Sequence, residues 1–323
     1  MKSTNNNYRF IDLFAGIGGF RLALESRGMT CVFSSEWDAR AQKTYKENYG
    51  ENPEGDITKI NERDIPKHDI LCAGFPCQAF SISGKQKGFQ DTRGTLFFDI
   101  ARIAQYHQPK VLFLENVKNL ETHNNGKTIK TILTTLEQIG YETYYSVLNA
   151  SLYGAPTARE RLYFICFNKS LKIKEFIFPN PSFDQVNIRN HIFSDNISDL
   201  IINRKDIKLY NKIIEPDMYG SYPLKPIRIG IINKGGQGER IYSDLGHAIT
   251  FSAYGGGAGA KTGAYLINGI VRKLSPQECL SIMGYSPDYI LPVNRTQAYQ
   301  QIGNSVVVTV LKKIVDSFIK KME

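Results

Sequence analysis

Short apolar runs alternate with amphipathic stretches through the first half of the chain, and this alternation predicts strands and helices in turn. Runs at 9–14, 31–35, 70–75, 110–114, 142–148 and 161–167 read as strands, while 20–26, 95–106 and 128–139 carry apolar residues at helical spacing. In the 95–106 helix, Leu96, Phe97, Ile100, Ile103 and Ala104 fall on one face. A further strand end is expected at Asp56-Ile57, after Gly55. Strand, turn and helix in repetition imply an α/β fold, a doubly wound mixed sheet of Rossmann-like type. From about 178 to 274 the helical signals weaken, and Pro, Gly, Asn and Tyr become frequent, which predicts a second, smaller β-rich domain. Helical pattern returns at 276–283 and at 305–321, the latter with Ser305 as an expected N-cap. The expected organisation is therefore 1–185, then 186–274, then 275–323 returning to the first domain.

Charge and cysteine usage narrow the class. Forty Lys and Arg against 31 Asp and Glu leave a net charge of +9, which favours an acidic partner such as nucleic acid. The five cysteines (Cys31, Cys72, Cys77, Cys166, Cys279) are odd in number and widely spread, without zinc spacing, so neither a disulfide framework nor a metal site is indicated. No apolar run is long enough to span a bilayer and residues 1–7 lack a signal-peptide core, so a cytoplasmic protein with reduced thiols is expected.

Candidate chemistry gathers at the predicted strand ends. The 70–75 strand is stopped by Pro76, which has no N–H for a sheet ladder. Cys77 follows at the lip of the sheet, where ligands bind in open α/β folds and a thiol can act as nucleophile. Most cysteines are small buried hydrophobes, and Cys72, inside the strand, suits that role. The first strand runs into Ala15-Gly16-Ile17-Gly18-Gly19 and a helix, the start of a nucleotide-binding unit. Gly16, Gly18 and Gly19 let a cofactor approach the backbone, and Glu36, closing the second strand, is suited to ribose hydroxyls. Trp37 could stack on an adenine or fill the core. The glycine spacing departs from the dinucleotide fingerprint and leaves another adenosine cofactor open. Glu115 ends another strand in an apolar run, where burial would favour its protonated form. Arg159 and Arg161, two apart, would point the same way in an extended segment. The polar 81–94 stretch, with Lys85 and Arg93, reads as a loop that closes on an acidic polymer. Two glycine-rich stretches hold Lys234, Gln237, Arg240 and Tyr254, groups that read base edges or stack on bases.

A thiol, a carboxyl, paired arginines and an adenosine-type pocket on one rim suit chemistry at cytosine. Addition of a thiolate to C6 makes C5 nucleophilic toward a sulfonium methyl donor, and an acid at N3 stabilises the adduct. A duplex base must first be flipped out. Phe14-Ala15-Gly16-x-Gly18-Gly19, Gly74-Phe75-Pro76-Cys77-Gln78, Glu115-Asn116-Val117, Arg159-x-Arg161 and Gly303-Asn304-Ser305 stand in one order along the chain. On these motifs the chain resembles the C5-cytosine DNA methyltransferases along nearly its whole length.

The resemblance implies that Cys77 attacks C6, that Glu115 holds N3, and that Arg159 and Arg161 support the base and adduct. It implies S-adenosylmethionine as cofactor, bound by Phe14, Glu36, Trp37, Asp56, Ile57, Pro76, Leu96, Asn304 and Ser305 with the three glycines. Ser83 and Gln237 would fill the space left by the flipped base, and Arg240, Tyr254 and Gly257 would meet the target. With Lys85, Arg93, Lys234, Thr250 and Ser252 they make up the expected contacts to double-stranded DNA. The stretch Gly235-Gly236-Gln237-Gly238-Glu239-Arg240-Ile241-Tyr242 extends the resemblance into the region where members of different specificity diverge, and implies GCGC with the inner cytosine methylated. A monomer, functionally paired with a restriction endonuclease, is expected. Thr157 stands where family members usually carry glutamine. A tRNA cytosine methyltransferase of the same fold, which would usually lack the long glycine-rich region, and a non-catalytic DNA-binding module are the alternatives.

Overall fold

The computed structural model of the chain describes residues 7–76, 96–193, 197–211 and 213–322. The first half runs β1 (Arg9–Leu13), α1 (Gly19–Glu25), β2 (Thr30–Ser35), α2 (Ala39–Tyr49), β3 (Ile70–Gly74), α3 (Leu96–His107), β4 (Val111–Val117), α4 (Lys127–Gln138) and β5 (Tyr141–Asn149). The short β6 (Thr157–Ala158) and the long β7 (Glu160–Asn168) follow. Six of these strands form one sheet in the order β2-β1-β3-β4-β7-β5. β2, β1, β3 and β4 are parallel, whereas β7 runs antiparallel to both β4 and β5. The mixed sheet expected from the apolar pattern is thus present, with β7 inserted between β4 and β5.

The strands are nearly all apolar because both faces of the sheet are covered. Phe10, Cys72, Phe113 and Tyr163 pack with α1, α5 and α7 on one face, the last two being the helices Pro276–Ile282 and Val308–Met322. Ile11, Leu71, Ala73, Leu112 and Leu114 pack with α3 and α4 on the other. Each fully buried side chain of this size stabilises the fold by roughly 1.5–3 kcal/mol. The chain leaves β1 toward β2 on one side, and β3 lies on the other. That switch point opens a crevice at the carboxyl ends of the strands.

Beyond β7 lie β8 (Ile207–Leu209), β9 (Arg228–Ile232), β10 (Arg240–Ser243), β11 (Ala248–Ile249), β12 (Ala264–Ile267) and β13 (Ile270–Arg272). Five of them form a second sheet, β13-β12-β10-β9-β8, around Ile202, Ile227, Ile229, Ile232, Ile241 and Val271. β11 instead pairs with β6, Ala248 opposite Thr157 and Ile249 opposite Ala158. Arg272, at the end of β13, makes a buried bidentate pair with Glu278 of α5, 2.8 Å at each contact. These two links join the second sheet to the first.

Three expectations need correction. Asp56 does not end a strand. It caps a single 3-10 turn, Ile57–Lys59, its Oδ1 accepting from the Thr58 N–H at 3.1 Å, and the short bridge beside β2 falls at Glu54. Ser305 is not an N-cap. Gly303 and Asn304 end a helix, α6 (Arg295–Asn304), Ser305 follows as its C-cap, and α7 starts only at Val308. The strand expected from 110 onward extends to Val117, so Glu115 lies within β4 near its carboxyl end.

Candidate active site

The crevice is a cavity of about 490 Å³ at the carboxyl ends of β1, β3 and β4. Its floor is set by the glycine turn after β1. Gly16 and Gly18 hold φ of 57° and 77°, the left-handed region that glycine enters without penalty. A Cβ on Gly16 would meet no atom nearer than 4.0 Å, so a ligand has room to approach its backbone. Glu36, at the end of β2, accepts from the Gly16 N–H and the Asp38 N–H, each at 2.8 Å. Burial pushes the Glu36 carboxyl up, and these N–H groups pull it partly back. Trp37 is 79% exposed and lines the cavity, so it does not fill the core.

The opposite wall carries the acid and the arginines. Glu115 is buried on β4, with Arg161 of the neighbouring β7 3.0 Å away, Nε to Oε1. The strand register explains the pairing: Val117 lies opposite Arg161, which brings the guanidinium diagonally across to Glu115. Burial raises the Glu115 carboxyl above its ordinary range, offset in part by Arg161 and Arg159. A carboxyl so placed holds a proton more readily, as an acid at a ring nitrogen needs. On the other side, a Cβ added to Gly74 would lie 3.6 Å from Glu115 Oε2, so the acid sits beside the end of β3. Asn116 donates to the Phe75 carbonyl at 2.8 Å and fixes the chain just before Pro76.

Arg159 plays a different part from Arg161. It is 2% exposed and its guanidinium donates to the carbonyls of Phe251 (3.2 Å), Gly303 (3.0 Å) and Ser305. Burial, with Arg161 nearby, lowers it to about 9. One side chain thereby ties the start of β7, the segment after β11 and the end of α6. Thr157 makes its side-chain hydrogen bond elsewhere. It is fully buried in β6, its hydroxyl donating to the Ile249 carbonyl at 3.3 Å and its own carbonyl accepting from Ser151 Oγ at 3.0 Å.

The cavity brings together Phe14, Gly16, Gly19, Glu36, Trp37, Pro76, Leu96, Glu115, Arg159, Arg161, Tyr254, Asn304 and Ser305. Gly18, Asp56 and Ile57 are not among its lining residues: the Gly18 carbonyl is turned to Tyr49, and Ile57 is buried against the α3 side of the sheet. Cys77, Ser83, Lys85 and Arg93 lie outside the described residues. In the second sheet region Lys234, Gln237, Arg240, Thr250, Ser252, Tyr254 and Gly257 are all exposed. The two glycine-rich loops abut backbone to backbone. The Gly259 N–H donates to the Gly238 carbonyl at 2.7 Å, and a Cβ on Gly238 would stand 2.2 Å from the Gly256 carbonyl oxygen. Thr250 Oγ1 donates back to the Ala158 carbonyl at 2.5 Å. Gln297, Gln300 and Gln301 of α6 also line the cavity, and no sequence signal singled them out.

A crevice at the switch point, a reversed strand in a mixed sheet and a buried acid beside paired arginines define a mixed α/β methyltransferase fold. The chain belongs to the C-5 cytosine-specific DNA methylase family, whose pattern matches residues 8–320. It is similar to the Type II methyltransferase M.HhaI of Haemophilus parahaemolyticus, 56% identical over 307 residues that span 95% of this chain and 92% of that protein. It is 40% identical over 341 residues to the Type II methyltransferase M.HpaII of Haemophilus parainfluenzae, 98% of this chain and 90% of that one. A crystal structure of a DNMT2 variant from Spodoptera frugiperda shares the fold, with a TM-score of 0.72 at 19% identity, over 97% of this chain and all of that one. The enzyme is accordingly a C-5 cytosine DNA methyltransferase of the Type II, restriction-modification kind. Among the described residues no helix is long and apolar enough to cross a membrane.

Proposed function

We infer that this chain transfers a methyl group from S-adenosylmethionine to C5 of a cytosine flipped out of duplex DNA, the inner cytosine of GCGC, through a covalent adduct between Cys77 and C6. The observation that carries this reading is the buried Glu115 carboxyl, held beside Arg161 at the end of β4 and facing the cavity. The cavity suits an adenosyl sulfonium: a glycine turn with open approach, a buried acid at the end of β2 and an exposed indole on its wall. When bound, the cofactor supplies an electrophilic methyl and departs as a neutral thioether.

The chain's own groups perform the remaining work. The Cys77 thiolate adds to C6, and the ring's electron density moves toward N3. Glu115 holds a proton at N3, so the adduct carries no net ring charge. Arg161 keeps the carboxyl turned into the site and offers its remaining N–H groups to the base carbonyl. After methylation, the C5 proton passes to a water molecule, the C5–H electron pair re-forms the C5–C6 double bond as the thiolate leaves, and the N3 proton returns to Glu115, leaving 5-methylcytosine and free Cys77. Residues 186–274 read the target, with Lys234, Gln237, Arg240, Thr250, Ser252, Tyr254 and Gly257 toward the DNA and Gln237 and Ser83 filling the vacated stack. Lys85 and Arg93 neutralise phosphates of the duplex. The enzyme acts as a monomer in the cytoplasm and protects sites from a paired endonuclease.

A GCGC duplex with 5-fluorocytosine at the inner position tests the covalent step. Fluorine at C5 cannot leave as the proton does, so the adduct should accumulate as a denaturant-stable complex when the cofactor is present. Cys77→Ser should give no such complex while still binding the duplex. Turnover by Cys77→Ser would rule the thiol mechanism out.

A further inference from the structure

Beneath the glycine turn, outside the cavity already described, four tyrosines stack in a row. Tyr45 and Tyr49 come from α2, and Tyr285 and Tyr289 from the segment after α5. Successive ring centroids lie 4.6 Å (Tyr45 to Tyr49), 6.4 Å (Tyr49 to Tyr289) and 4.9 Å (Tyr289 to Tyr285) apart. Asn48 locks the two segments together, accepting from the Ile290 N–H at 2.9 Å and donating to the Ile290 carbonyl at 2.8 Å. Arg21 covers the outer end, its guanidinium 4.5 Å from the Tyr49 ring centre.

Two hydroxyls of this row are aimed at the turn. Tyr49 donates to the Gly18 carbonyl at 2.8 Å, and Tyr289 donates to the Ile17 carbonyl. Tyr285 shares a hydrogen bond with Ser305 Oγ at 2.5 Å, on the cavity wall. The fit is close: a Cβ on Gly18 would stand 2.3 Å from Tyr49 Cε2, and one on Gly19 2.6 Å from the Tyr285 hydroxyl. A turn with two left-handed glycines has many peptide orientations open to it. The two hydroxyls on consecutive carbonyls, together with the Leu22 N–H that also reaches the Gly18 carbonyl at 2.9 Å from the first turn of α1, select one. Because the peptide is planar, holding the Gly18 carbonyl toward Tyr49 turns the Gly19 N–H away from it, and Gly19 lines the cavity.

We propose that Tyr49 and Tyr289 are positioning residues for the cofactor, fixing the peptide orientations of the 16–19 turn in the form that S-adenosylmethionine meets. The inference rests on the reading of this cavity as the cofactor site. Neither side chain lines the cavity, and their effect is exerted through the turn.

Trp37 supplies a readout that does not depend on turnover, since it is the single tryptophan and lies exposed on the cavity wall. Its fluorescence is titrated with S-adenosylmethionine in wild type, Tyr49→Phe, Tyr289→Phe and Tyr141→Phe. Tyr141 is the control, a buried tyrosine whose hydroxyl donates to the Pro109 carbonyl at 2.9 Å, away from the cavity. Losing one such bond should weaken cofactor binding about five- to ten-fold in Tyr49→Phe and Tyr289→Phe. Turnover at saturating cofactor should stay within about two-fold, since the effect falls on binding and not on the chemical step. Tyr141→Phe should melt lower by a similar amount yet bind the cofactor as wild type does. Two turn variants keep the test decisive should one fail to fold. Wild-type affinity in a folded turn variant, or equal weakening in Tyr141→Phe, would overturn the proposal. A wild type that binds no cofactor, by fluorescence and by equilibrium dialysis with labelled S-adenosylmethionine, would remove the cavity reading and the inference with it.

Discussion

Glu115 shows how one carboxyl can be set apart from the other acids of the chain. It lies near the carboxyl end of β4 between Gly74 and Arg161, and burial outweighs the two arginines, so its proton is held above the ordinary carboxylate range. Glu115→Gln retains the shape but cannot exchange a proton with N3. Single-turnover methyl transfer should fall by at least about 100-fold, in keeping with a lost acid, while cofactor affinity changes little. Collapse of cofactor affinity instead would contradict the role given to Glu115. Stability should move the other way with pH. A carboxyl raised by folding binds its proton more tightly in the folded state, so wild type loses stability as pH rises from the ordinary carboxylate value through the raised one. The variant lacks that loss, and its melting temperature should gain on wild type as pH rises above the ordinary carboxylate value. Residues such as Glu115, Glu36 and Arg161 were legible in the sequence because polar groups at the ends of apolar runs have few explanations other than chemistry. Tyr49 and Tyr289 were not legible: 240 positions separate them, and tyrosine in an amphipathic pattern reads simply as core.

At the scale of elements, two whole helices, α2 and α6, were not legible in the sequence, and for a physical reason. α2 buries only Ala41, Thr44 and Tyr45, and α6 only Ala298, Tyr299, Ile302 and Gly303, so neither shows a strong apolar stripe. α6 is instead set by its Asn294 cap, whose side chain accepts from the Gln297 N–H at 3.0 Å, and by where its last turn docks. Gly303 is the docking point. A Cβ there would stand 2.2 Å from the Ala253 N and 2.5 Å from the Ser252 carbonyl carbon, both backbone atoms that cannot rotate away. The same turn supplies the Gly303 and Ser305 carbonyls to Arg159. Gly303→Ala should therefore part α6 from the 252–253 segment and lower stability by about 1–3 kcal/mol, as overpacking does. Denaturant melts check this, and an unchanged midpoint would show that the contact relaxes freely.

In the whole molecule, the mixed sheet carries the cavity and the second sheet carries the exposed polar loops, and the two share a core in which Tyr242, Tyr265 and Ile267 pack with residues of β1, β4 and α7. The β6–β11 pair, the Arg159 contacts and the buried Arg272–Glu278 pair add polar links between the two regions. The α/β class with a mixed sheet was legible from apolar runs because both faces of that sheet are covered, leaving its strands continuous, whereas the insertion of β7 between β4 and β5 was not. The second sheet was legible only as a change of composition. Its strands are three to five residues long, and β10 lies parallel to β12 but antiparallel to β9, a pairing that no local pattern encodes. With a net charge of +9, DNA attraction alone cannot tell a methyltransferase of one target from another, or from a protein that merely binds. The decisive measurement is methyl transfer from labelled S-adenosylmethionine to duplexes carrying GCGC, GGCC, CCGG or no site, beside a tRNA. Label is expected on the inner cytosine of GCGC alone. Label on another duplex would contradict the assigned target, and label confined to tRNA, or none on any substrate, would contradict the central claim.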